Sequence, residues 1–123
     1  MPGAPTIHVA CLCAAWCRTC DEYRPAFDAA VDDLRRAGVA VAAHWIDIED
    51  EAELVGEYDV ETFPTLLVAD AQHVRFIGPL TPHPETLQRM LRATVLDAAD
   101  AAPAVQTSDV QALAAAVRQR PGD

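Results

Sequence analysis

No lysine occurs in the 123 residues; all nine basic side chains are arginine. This excludes a lysine base, Schiff-base former or buried counter-ion. Positive charge of any kind is scarce, since nineteen carboxylates outweigh it and leave a formal net charge of −10. Nucleic acid and anionic membrane surfaces need a basic patch to offset phosphate charge, so neither is an expected partner. Long apolar stretches are lacking as well. No segment approaches the ~18 uninterrupted apolar residues of a membrane span, and Met1–Thr6 has neither the charged start nor the apolar stretch of a secretory leader. The expected location is the cytoplasm. No internal repeat is present, and His8, His44, His73 and His83 are scattered along the chain.

Length fits one domain with a single hydrophobic core, plus a tail. All four cysteines lie between positions 11 and 20. A disulfide scaffold spreads its cysteines to staple distant segments, so this clustering points to a reactive site or a metal site. Cys17-Arg18-Thr19-Cys20 directly follows the apolar run Ile7–Trp16, and a Cys-x-x-Cys pair amid βαβ patterning reads as a redox motif. A zinc clip is the competing reading, because Cys11, Cys13, Cys17 and Cys20 offer four sulfurs. Against it, Cys11 and Cys13 sit in an apolar run and no second knuckle follows.

Ile7–Cys13 predicts a buried strand. Tyr23, Ala26, Phe27, Ala30, Val31 and Leu34 then recur at helical spacing, with Arg35 and Arg36 at the negative end and Gly38 just beyond. The helix is expected over about Cys17–Ala37, kinked where Pro25 removes the bond to the Asp21 carbonyl. Val39–Ile46 predicts a second strand, and Asp50–Tyr58 a short helix. Phe63–Val68 starts a third strand with Pro64 at its head, and after the turn Asp70-Ala71-Gln72 the segment His73–Ile77 returns antiparallel. Pro84 opens a helix carrying Leu87, Met90, Leu91, Thr94 and Val95. Leu96–Thr107 reads as a linker. A last helix over about Asp109–Arg120 carries Val110, Leu113, Ala114 and Val117 on one stripe, with Ser108 and Gln111 resembling a capping box.

A helix start at Cys17 sets its sulfur beside unsatisfied N–H groups and the positive end of the dipole, with Arg18 adjacent. Both favour the thiolate, so Cys17 is the expected nucleophile. Cys20, one turn on and more buried, is the expected resolving thiol: it displaces reduced substrate from a mixed disulfide on Cys17.

Residues Ile7–Ala93 resemble the thioredoxin family. The resemblance rests on Ala14-Ala15-Trp16-Cys17-Arg18-Thr19-Cys20, on Pro25 eight residues past Cys17, and on Phe63-Pro64-Thr65-Leu66-Leu67 followed by a hairpin and Gly78. It implies a compact α/β fold, a four-stranded mixed sheet in the order β-α-β-α-β-β-α flanked by helices, with the C-terminal helix as an addition. Residues 1–95 would form the thioredoxin-like domain, and 96–123 a linker and helix docked on it. The resemblance further implies a cis Pro64 facing the cysteines, with the Phe63 backbone pairing an extended substrate segment. Trp16, Arg18, Thr19, Phe63 and Pro64 would shape the site around Cys17 and Cys20.

Three departures stand out. The family's buried acid, six positions before the nucleophile, and its lysine partner are replaced by Cys11 and Trp45, leaving Asp47 as a candidate proton acceptor. Arg18-Thr19 replaces Gly-Pro between the cysteines. The leading strand and helix are missing, a gap the last helix is positioned to cover. Cys13 stands where an aromatic is common; it is either a small core residue or a regulatory thiol able to trap Cys20. The acidic run Asp47–Glu61 lacks the glycine-containing spacing of a calcium loop, and reads as a solvated face or as a steering surface for a basic partner. The expected activity is thiol-disulfide exchange with protein disulfides by a monomer. It needs an electron donor of unidentified kind and no cofactor beyond the Cys17-Cys20 couple. The alternative is a peptide-binding or holdase module in which the cysteines are incidental.

Overall fold

The computed structural model describes residues 6–81, 83–96 and 107–122. One four-stranded sheet runs in the order β2-β1-β3-β4. Its centre is β1 (Ile7–Cys13), in which every residue but His8 is buried. Such a continuous apolar run suits a strand covered on both faces. β1 lies parallel to β2 (Val41–Asp47) and antiparallel to β3 (Thr65–Ala69), which pairs in turn with β4 (Val74–Pro79). A parallel neighbour requires a crossover, and α1 (Arg18–Arg36) supplies it. The fold is thus the mixed α/β arrangement of the thioredoxin class, with helices on both faces of the sheet.

The periodicity of α1 is realised directly: Tyr23, Phe27, Ala30, Val31 and Leu34 are buried against the sheet. The helix passes through Pro25 without a break. Gly38 then turns the chain at a φ of 93°, a left-handed value that suits glycine. α3 (Pro84–Leu91) packs beside α1 on the same face and continues into a π-helical turn, Arg92–Leu96. There the Thr94 hydroxyl bonds back to the Met90 carbonyl at 2.8 Å while Arg75 donates to the Thr94 carbonyl at 3.1 Å. Side-chain competition for helix carbonyls of this kind loosens the regular ladder.

On the opposite face, the helix expected over Asp50–Tyr58 shrinks to one turn, α2 (Ala52–Val55), ended by Gly56 at a φ of 63°. The remaining area is covered by α4 (Ser108–Gln119), whose Val110, Leu113, Ala114 and Val117 join Leu12, Ile46 and Leu67 in a second core cluster. The expected capping box is not formed: Thr107 is the N-cap, its hydroxyl donates to the Asp109 carboxylate, and Ser108 is already helical. With the helix starting one residue earlier, Gln111 falls at the fourth helical position and no longer occupies the third, which a capping box requires. Most of the expected linker, 97–106, lies outside the described residues.

Polar contacts fix the end of α4. Arg120 pairs with Glu51 at 2.8 Å and also donates to the Trp45 carbonyl at 3.2 Å. Arg35 takes the Val41 carbonyl at 2.9 Å, so arginines occupy two carbonyls of β2, an edge strand of the sheet among the described residues. A third Arg120 contact reaches His44 Nδ1 at 3.3 Å. Guanidinium can only donate, so His44 Nδ1 accepts, and its Nε2–H is left to donate to His8 Nδ1 at 3.1 Å. Burial, and then the Arg118 charge, hold His8 below the ordinary histidine value, and its ring stacks on that of His44.

Leu113 is almost wholly enclosed between α4 and the sheet. Leu113→Ala is therefore expected to lower the unfolding free energy in urea by about 2–5 kcal/mol. A loss near zero would mean that α4 does not dock in solution.

Candidate active site

β1 and β2 stop together, because Cys13 and Asp47 are register partners at the end of the parallel pair. Two loops leave the sheet at that level, and Asp47 joins them. Its carboxylate accepts the Ala15 N–H at 2.9 Å from the first loop, and the Glu49 and Asp50 N–H groups at 2.8 and 3.3 Å from the second. Asp and Asn commonly cap their own turns in this manner. The first loop is closed further by the Cys17 N–H, which donates to the Ala14 carbonyl at 3.0 Å.

That loop delivers Cys17 to the N-cap of α1, with φ −89° and ψ 111° and no side-chain capping bond. The sulfur is half-buried, at the end of the helix where backbone N–H groups lack partners. Arg18 is exposed and Thr19 half-buried on the same turn. Cys20 lies one turn deeper and is only 1% exposed. It is buried in one core cluster with Cys13, and Cys17 packs against that cluster.

Pro64 sits level with the end of β1, since the next residue, Thr65, pairs with Leu12. Its peptide bond with Phe63 is cis, and the proline is buried. The Thr65 hydroxyl donates to the Thr62 carbonyl at 2.6 Å, and the Leu80 N–H donates to the Pro64 carbonyl at 3.2 Å. Phe63 meets Trp16 edge-to-face, with centroids 5.5 Å apart. The Trp16 indole N–H donates to the Glu49 carboxylate, while 69% of the residue remains exposed. An aromatic rim thus adjoins Cys17, and all seven sequence-predicted site residues belong to this end of the sheet.

Behind the rim, the buried sulfurs gather. Cys11 and Cys13 lie on one face of β1 with their Sγ atoms 3.4 Å apart, and Cys20 belongs to the same core cluster. All four thiols are free. Burial, and next the contact with Cys13, push the Cys20 thiol far up, against a smaller opposing backbone bond from Ala14. The Cys11 hydrogen bond, then burial, do the same to Cys13. Tyr23 packs in the same cluster, and its buried hydroxyl has no hydrogen-bond partner among the described residues. Among the described residues, no group of three or more His, Cys, Asp or Glu side chains is arranged to hold a metal ion.

Two sequence expectations change here. Asp47 does not replace the missing buried acid, because its two oxygens are committed to backbone N–H groups of the loops. Trp45 packs edge-to-face on Phe27 at 5.6 Å and under the Arg24 guanidinium at 5.1 Å. The acidic run is also more than a solvated face, since Asp47, Glu49 and Glu51 each hold a specific partner. The Asp-x-Glu-Asp order after a strand was a readable sign of a side-chain-capped turn; the Glu49–Trp16 and Glu51–Arg120 pairs had none.

The thioredoxin family model matches residues 4–93. Protein disulfide isomerase-like 1-4 of Arabidopsis thaliana is 41% identical over 69 residues, 55% of this chain and 11% of the relative. Protein disulfide-isomerase of Ricinus communis is 35% identical over 57 residues, 45% of this chain and 11% of the relative. The chain therefore spans about a tenth of the length of these relatives. Among solved structures, the germline-specific thioredoxin Deadhead of Drosophila melanogaster superposes with a TM-score of 0.62 at 20% identity, covering 74% of this chain and 83% of that one. Mitochondrial thioredoxin 3 of Saccharomyces cerevisiae in its oxidized form gives 0.59 at 16% identity, covering 71% and 77%. At these identities the structural likeness speaks for the fold alone.

Removing the Asp47 carboxylate leaves three backbone donors without their acceptor. Asp47→Ala is expected to cost about 1–3 kcal/mol of stability in urea, with Asp47→Asn recovering part of it through its remaining oxygen. An unchanged midpoint for the alanine variant would reject the clamp.

Proposed function

Because this chain belongs to the thioredoxin family, we propose that it is a thiol-disulfide oxidoreductase that exchanges a Cys17-Cys20 couple with protein disulfides. The observation that carries the reading is the placement of the two sulfurs: Cys17 half-buried at the open N-terminus of α1, and Cys20 enclosed one turn behind it. The Cys17 thiolate attacks a substrate disulfide, forming a mixed disulfide and expelling one substrate thiolate, which takes up a proton. Cys20 then loses its proton and attacks Cys17 Sγ. A Cys17-Cys20 bridge forms, the bond to substrate breaks, and the substrate leaves with both sulfurs reduced. An external dithiol is the electron donor that restores the couple.

Trp16 and Phe63 offer an apolar ledge beside the reacting sulfur, and the backbone before Pro64 offers an edge for an extended peptide segment. No basic partner surface or cofactor enters this scheme, and the cytoplasm is the compartment proposed for it. The same ledge also suits a peptide-holding module in which the thiols are idle. Insulin reduction by dithiothreitol separates the two readings: the wild-type chain is expected to accelerate it and Cys17→Ser to return it to the uncatalysed rate. Equal rates for the two proteins would reject the oxidoreductase.

The environment of Cys20 sets a pH dependence. Its thiol is held far up by burial and by Cys13, so the attacking thiolate is a minor species that grows as pH rises toward the raised value. Release of reduced substrate from a preformed Cys17 mixed disulfide is expected to accelerate by ~10-fold per pH unit across the neutral and mildly alkaline range. A flat profile would show that another group removes the Cys20 proton.

A further inference from the structure

The geometry points to Cys13 as a third redox thiol, one that exchanges with the Cys17-Cys20 disulfide and moves the bridge to Cys13-Cys20, leaving Cys17 as a lone thiol. This deepens the proposed exchange activity and rests on it. Cys13 ends β1 and Cys20 lies in the first turn of α1; both are 1% exposed in one core cluster with Cys11 and Tyr23, and Cys17 packs against that cluster. Cys13 and Cys17 both act on the Cys20 thiol, which gives Cys20 two candidate sulfur partners. Cys11 is one step further back, 3.4 Å behind Cys13.

The exchange needs no added oxidant. Cys13 gives up its proton and attacks Cys20 Sγ; the Cys13–Cys20 bond forms, the Cys17–Cys20 bond breaks, and the electron pair leaves on Cys17. The number of disulfides is unchanged, and the proton lost by Cys13 is available to the departing thiolate. Cys17 leaves to the half-buried N-cap of α1, where the freed sulfur is open to substrate. Cys13 is the slow attacker, since its contact with Cys11 and its burial keep it protonated. The equilibrium is thus reached slowly at neutral pH and faster under alkaline conditions.

The functional consequence is a second oxidised form. With the bridge at Cys13-Cys20, Cys17 can still attack a substrate disulfide, but Cys20 is no longer available to resolve the adduct. Substrate captured in that form stays covalently attached until the bridge moves back or is reduced. An oxidised pool of this protein would then hold substrates instead of ignoring them.

Disulfide mapping tests this without measuring activity, so its failure is distinguishable from failure of the exchange reaction itself. The chain is oxidised with oxidised glutathione to the single-disulfide stage at mildly alkaline pH, alkylated under native conditions and cleaved after arginine. The fragment ending at Arg18 carries Cys11, Cys13 and Cys17, whereas Cys20 lies in the next fragment, so every link to Cys20 is read by fragmenting one joined pair. The expected result is a population with Cys13 joined to Cys20 and Cys17 alkylated, and the loss of that population in Cys13→Ala. If oxidised wild type contains only Cys17-Cys20, or if Cys11 supplies the second link, the assignment to Cys13 is overturned. The wild-type map decides the matter even if the alanine variant does not fold.

Discussion

Asp47 accepts backbone N–H groups from both chain segments that cross the end of the sheet, and the placement of Cys17 depends on that shared acceptor. Without it, Ala15 and the turn at Glu49-Asp50 would each have to find water or another partner, and the N-cap of α1 would lose its fixed approach. The clamp works because parallel pairing stops β1 and β2 at the same level, Cys13 opposite Asp47. A carboxylate serves better than a neutral side chain here: it carries two acceptor oxygens, and hydrogen bonds to a charged acceptor are stronger than neutral ones. The same demand removes it from proton chemistry, since oxygens held by the backbone do not also face Cys20.

What lies beneath Cys20 is sulfur. A buried carboxylate would carry a large desolvation cost that a thiol avoids, because Cys behaves as a small apolar residue with a weak donor. Cys11 and Cys13 therefore let β1 pack as an uninterrupted hydrophobic strand. The consequence falls on reactivity, since sulfur neighbours hold the Cys20 proton in place. The Tyr23 hydroxyl shows the same preference for packing over polar satisfaction. It stays unpaired among the described residues, a situation that costs about 1–3 kcal/mol. Packing wins over proton transfer at this spot, and in the exchange proposed above that would slow resolution of the mixed disulfide relative to its formation.

The elements that the sequence made legible are those whose signal is local. Ile7–Cys13 and the spacing from Tyr23 to Leu34 each encode one strand or one helix face, and the structure matches them closely. The placement of Cys17-x-x-Cys20 at the start of α1 and of Phe63-Pro64 ahead of β3 was equally plain, because position travels with a short motif. Long-range choices were not. Nothing in the order of residues says that Asp47 turns toward Ala15 instead of Cys20, or that Glu49 holds Trp16 across a gap of 33 positions. The N-cap of α4 was misplaced by one residue for a related reason, since Asp109 and Gln111 both offer side chains and only geometry selects between them. α2 was overdrawn because apolar residues pack from irregular backbone as well as they would from a helix: Tyr58 and Val60, beyond the single turn, both touch the second core.

The C-terminal helix extends this logic from packing to the site. α4 covers the face of the sheet opposite α1, so its hydrophobic stripe contributes to stability and has no direct view of the thiols. Its last polar contact is different. Arg120 binds Glu51, and Glu51 sits in the turn whose Glu49 holds the Trp16 indole and whose N–H groups are gathered by Asp47. A half-buried, doubly hydrogen-bonded arginine–carboxylate pair restrains a turn better than an exposed ion pair does, because its geometry is fixed by two parallel donors. The rim beside Cys17 is thus braced from the opposite face of the sheet. Lifting α4 from the second core would break that pair, and with it one restraint on the turn that supports Trp16.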